Sequence, residues 1–158
     1  MKSSADLIAK FEVFLKERMR EFREPVQAAF AAFFEAATLG RDARIHVEVF
    51  TEGEGFDFHL FQYDSNGSEL TSEPILLFND RIEALWPMVQ SEEMDSFWVW
   101  EDDPKWGRQV ALHQPIDSVD LLQIVAPWFR SIVLEARGDR ECNVTLALHD
   151  LTPAMPLC

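Results

Sequence analysis

His46, Glu48 and His59 are the residues whose types and spacing come closest to a chemical site. They lie in two alternating runs, RIHVEVFTE from residue 44 and FDFHLFQY from residue 56. A tight turn at Gly53-Glu54 would place Glu48 directly opposite His59, with His46 a diagonal neighbour on the same face. Two imidazoles and a carboxylate are donors that can hold a divalent metal, which makes a small metal-binding protein or enzyme one alternative. The plainer reading is a polar, solvent-facing strand surface with a cross-strand Glu–His pair, so no metal and no cofactor are expected.

Other candidates carry less. His113 and His149 stand near strand ends, and either could be a general base beside an acid such as Asp150. No G-x-S-x-G elbow, no H-E-x-x-H and no nucleophile in a recognisable context accompanies them, so no catalytic residue is assigned and no enzyme is expected. Gly53-Glu54-Gly55 has neither a following Lys nor a helix start, and Glu54 repels an anion, so it reads as a turn. Glu101-Asp102-Asp103 lacks the spaced ligands of a calcium loop. Cys142 and Cys158 are too few for a zinc site and are expected to stay reduced.

Aromatic residues on the outward parity weigh more. Phe50, Phe61 and Tyr63 share the face opposite the apolar one, and Trp98 and Trp100 share a face of their own strand. If uncovered, they are aromatic anchors rimmed by acid, the anatomy of a binding hot spot. If a helix covers them, they are core. The expected partner-binding set is Phe50, Phe61, Trp98 and Trp100 as anchors, with Glu48, Glu52, Glu54, Asp57, Asp64, Glu101, Asp102 and Asp103 steering.

Charge supports that emphasis. The chain has 158 residues and a formal charge of −14, and residues 45–103 hold fifteen acids against the single base Arg81. The flanking stretches are nearly neutral. Binding of nucleic acid through its phosphates needs clustered Lys and Arg, and an anionic membrane surface needs the same, so neither partner is expected. The first residues carry charges that interrupt any apolar secretory core, and no apolar run reaches membrane-spanning length. A cytoplasmic protein is the expectation.

The elements that must position these residues follow from periodicity. Residues 4–39 read as helix, with Pro25 dividing it into a hairpin or kinking one rod, and Gly40 available as its cap. Three strands then form an antiparallel meander. The register sets Val49 opposite Phe58 and Val47 opposite Leu60, and a two-residue turn at Asn66-Gly67 sets Phe58 opposite Ile75 and Phe56 opposite Leu77. Asn79 or Asp80 is positioned to cap a short helix carrying Ile82 and Leu85. Two strands, FWVWED and RQVALHQ, come next. Asp117 or Ser118 caps a longer helix that ends at Gly138, with Pro127 kinking it or marking its start, and CNVTLALHD closes the chain as a strand. The class is α+β. Residues 1–158 make one domain, with a helical region over 1–40 and an α+β core over 44–149.

From residue 44 to 137 this order resembles the class I type III secretion chaperones and related chaperone-like folds. FWVWEDDPKWGRQVALHQPID is similar to that family's final hairpin, and Leu112, Pro115, Ile116 and Asp117 to its Leu-x-x-Pro-hydrophobic-Asp exit. The longer N-terminal helical region and the extra strand Cys142–His149 depart from the pattern. The resemblance implies a homodimer that holds an extended effector segment. The residues themselves point first to a non-enzymatic, immunity- or antitoxin-type inhibitor whose acidic, aromatic face occludes a basic toxin or effector.

Overall fold

The computed structural model describes residues 3–50, 57–89, 95–149 and 153–158. Helix α1 runs Ser4–Ala36 as a single rod. It starts on a capping box, in which Ser3 accepts from the Asp6 N–H while the Asp6 carboxylate accepts from the Ser3 N–H. Pro25 lies inside it rather than dividing it into a pair, and it stops at Ala36, before Gly40. One face holds Phe11, Phe14, Leu15, Val26, Phe30, Phe33 and Phe34, so burial outweighs the backbone hydrogen bond that the proline forfeits.

Strands β1 (Arg44–Phe50) and β2 (Asp57–Tyr63) pair antiparallel in the expected register: Val47 faces Leu60, Val49 faces Phe58, and Glu48 faces His59. The Gly53-Glu54 turn lies outside the described residues. Strand β3 is only Glu69–Leu70, with Tyr63 opposite Glu69 and Gln62 opposite Leu70. That register is one residue away from that of a two-residue turn at Asn66-Gly67. The loop instead holds three residues, because Asp64 Oδ1 accepts the N–H groups of Asn66 and Ser68, and Gly67 supplies the positive φ of 79°.

The expected continuation of this strand through Ile75 and Leu77 is corrected, since both lie in helix α2 (Glu73–Val89). Pro74 suits a first helical turn, and Ile75, Phe78 and Ile82 recur at helical spacing and are buried. The helix starts earlier than Asn79 or Asp80. Asn79 faces β2, where its amide pairs with the backbone of Leu60.

Strands β4 (Trp98–Asp103) and β5 (Gly107–Leu112) form a separate two-stranded sheet. A short helix α3 (Gln114–Asp117) follows, and Asp120, not Asp117 or Ser118, caps helix α4 (Leu121–Arg137). Pro127 lies within α4, and Gly138 follows it at φ 60°. Strands β6 (Asn143–Leu148) and β7 (Met155–Pro156) complete a sheet of order β3-β2-β1-β6-β7. β1 and β6 are parallel, which a chain can achieve only by crossing the sheet through intervening elements such as α4.

One side of this sheet carries Ile45, Val47, Val49, Leu60, Val144, Leu146 and Leu148, all buried. The helices pack on that side. Phe78 of α2 meets Phe30 at 4.7 Å, and Phe129 of α4 meets Phe58 edge-on at 4.9 Å. α4 is tied to α1 by Trp128 Nε1, which donates to the Met19 carbonyl at 2.9 Å, and by Arg23, which bonds Ser131 and Glu135. Among the described residues no helix is long and apolar enough to cross a membrane.

Candidate functional site

Placing the apolar side chains of β1, β2 and β6 under the helices sends the alternate residues to the other side. Those are Arg44, His46, Glu48 and Phe50 on β1, Asp57, His59, Phe61 and Tyr63 on β2, and Asn143, Thr145 and Ala147 on β6, with His149 continuing its parity. Apart from Ala147, none of these is buried. This face, which none of the described helices covers, is the candidate site.

Its centre is Glu48. The Glu48 carboxylate is in close hydrogen-bond contact with His149 Nδ1, across the parallel β1–β6 pairing. His59, its cross-strand partner, has Nε2 at 3.3 Å from Asp57 Oδ2 but in no hydrogen bond. Phe50 lies between the two imidazoles, with its ring centroid 5.2 Å from that of His59 and 4.5 Å from that of His149. His46 Nδ1 bonds Thr145 Oγ1 at 2.8 Å. Burial pushes the His46 pKa below its ordinary value, with Glu48 pulling weakly the other way. Burial also raises the Tyr63 phenol, helped by Glu69 and Glu48, so Tyr63 stays neutral as a hydrogen-bonding aromatic.

The expected trio His46, Glu48 and His59 therefore shares a face but does not converge. Glu48 turns to His149 and His46 to Thr145. Among the described residues no group of three His, Cys, Asp or Glu side chains is placed to hold a metal ion. In the sequence His149 stands as a lone histidine near a strand end. Its signal was parity, since it stands out of step with Val144, Leu146 and Leu148. Its pairing with Glu48 depends on a strand contact about a hundred residues apart in the chain.

The remaining expected binding residues divide. Glu52 and Glu54, like Asp150, lie outside the described residues. Asp64 forms the β2–β3 turn, and Asp103 does the same for β4–β5 by accepting the N–H groups of Lys105 and Trp106 at 2.7 and 2.8 Å. Trp98 is corrected from anchor to core: it is 8% exposed, and it and Phe97 pack against Phe11 of α1. Trp100 is 55% exposed, with the Arg108 guanidinium 5.1 Å over its ring, and Trp106 is 67% exposed beneath Lys105.

Glu101 and Asp102 are exposed on the same hairpin. This hairpin is rooted on α1, and α1 packs on the opposite side of the five-stranded sheet from Glu48 and Phe61. The expected acidic residues that are described thus occupy two surfaces rather than one. Between α1, α4 and the β1–β2 end lies an apolar cavity of about 80 Å³, lined by Phe14, Phe22, Phe58 and Trp128 among others. That is smaller than the sites that enclose drug-sized ligands.

No family model, no curated protein and no solved structure matches this chain.

Proposed function

We propose that this chain is a non-enzymatic protein-binding domain that docks a basic partner on the open face of its five-stranded sheet, acting as an inhibitor of the immunity or antitoxin type. One observation carries the reading: Phe50, Phe61 and Tyr63 stand half-buried on the same face as Glu48 and Asp57, which none of the described helices covers. Aromatics that lose little entropy on binding, flanked by carboxylates, suit a protein surface rich in Lys and Arg. A toxin or effector whose cleft handles an anionic substrate has such a surface. The Phe50→Ser/Phe61→Ser double variant tests it, with circular dichroism checking the fold. A host protein captured by the wild type, released by rising salt and lost from the double variant supports the reading. Equal capture by both proteins removes it.

A second reading rests on a different observation. The β4–β5 pair is only two strands wide, and its outer edges are unpaired among the described residues. Such an edge can accept an extended segment as an added strand, as a secretion chaperone holding an effector would. Charge reversal separates the two. Asp57→Lys weakens docking on the open face, whereas Asp102→Lys weakens capture on the hairpin.

A further inference from the structure

Three histidines share the open face, and two are seated beside carboxylates. His149 contacts Glu48, and His59 Nε2 stands 3.3 Å from Asp57. Among the described residues, the charged and titratable groups on this face are Arg44, His46 and Glu48 from β1, Asp57, His59 and Tyr63 from β2, Glu69 from β3, and His149 after β6. With neutral imidazoles these described side chains sum to two negative charges, from Glu48, Asp57 and Glu69 against Arg44. With three imidazolium ions they sum to one positive charge. Each imidazole on this face that takes up a proton adds one positive charge to it.

We propose that the open face is a pH-gated docking surface: on acidification His149 and His59 become cations that engage Glu48 and Asp57 internally and withdraw both carboxylates from a basic partner. This rests on the docking reading above. Protonation does two things together. It replaces two outward negative charges by internal ion pairs, and it sets an imidazolium against the Phe50 ring from both sides, which holds the central aromatic anchor in place through cation–π attraction. Burial pushes the His46 pKa below its ordinary value. A basic partner is bound at neutral pH and released in an acidified compartment or medium.

The probe is a fluorescein-labelled arginine nonapeptide, titrated into the full chain at fixed low salt at about pH 7.5 and about pH 5.5. Contacts are mapped by amide chemical shifts. The expected result is shift changes on β1, β2 and β6 at the higher pH, and an affinity at least about tenfold weaker at the lower pH, a difference of about 1.4 kcal/mol. In the His46→Gln/His59→Gln/His149→Gln variant the loss between the two pH values should fall below about twofold. If that variant does not fold, His59→Gln and His149→Gln singly should each remove part of the loss.

Binding on this face that is unchanged by pH, or a pH dependence that survives the substitutions, overturns the gate and leaves the docking reading standing. No perturbation of β1, β2 and β6 at the higher pH overturns both.

Discussion

The side-chain amide of Asn79 pairs with both backbone groups of Leu60, accepting its N–H at 2.8 Å and donating to its C=O at 3.2 Å. An amide on α2 thereby stands in for the strand that β3 is too short to provide. Leu60 is fully buried, so neither backbone group has water as an alternative.

Asn79→Leu should therefore cost about 1–3 kcal/mol, the penalty of leaving buried backbone groups unsatisfied, although leucine suits the surrounding core. Urea denaturation measures it. A loss below about 0.5 kcal/mol would mean that the edge of β2 finds other partners.

Trp98 and Trp100 should part company. Trp98→Ala empties a core site beside Phe11 and should cost about 3–5 kcal/mol. Trp98→Phe should cost much less, because the Trp98 Nε1 is buried without a hydrogen-bond partner. Trp100→Ala should stay within about 0.5 kcal/mol of wild type, as expected for an exposed site. Thermal or urea unfolding of the three variants checks this, and equal losses at the two tryptophans would refute the assignment of Trp98 to the core.

His46 sets an acid-sensitive part of the stability. Burial depresses its pKa in the folded chain below the ordinary value of 6.5, so the unfolded chain takes up that proton first as pH falls. The stability due to neutral His46 is complete above the unfolded value and drains away as pH drops through the folded one. The stability advantage of wild type over His46→Gln should accordingly shrink between about pH 7.5 and pH 5. Urea midpoints at the two pH values measure it, and a difference that grows in acid would contradict a depressed pKa for His46 in the folded chain.

Cys142 should resist alkylation. It is buried, and burial, reinforced by the nearby Cys158 thiol and offset in part by Arg137, raises its pKa. Mass spectrometry after iodoacetamide at neutral pH should show Cys158 modified first, with Cys142 reacting only once urea unfolds the chain. Equal rates in the folded protein would contradict the burial of this thiol.

What the sequence determined by itself was local. Period-two alternation and parity placed Val47 opposite Leu60 and Glu48 opposite His59, because a strand pair joined by a short turn has few registers that bury one face. Helical periodicity found α1 and α4, and the charge count marked the acidic middle. Only the tertiary structure decided the rest. Glu73-Pro74 begins a helix that truncates the third strand, since Ile75, Phe78 and Ile82 gain more by packing on α1 and β2 than by extending an edge strand. The parallel pairing of β1 with β6 brings His149 to Glu48, and no local pattern encodes a contact between segments so far apart in the chain. The described acids of the middle stretch, neighbours in sequence, are spread over the sheet face, helix α2 and a distant hairpin, because the helical layer that forms the core comes between the sheet face and the hairpin.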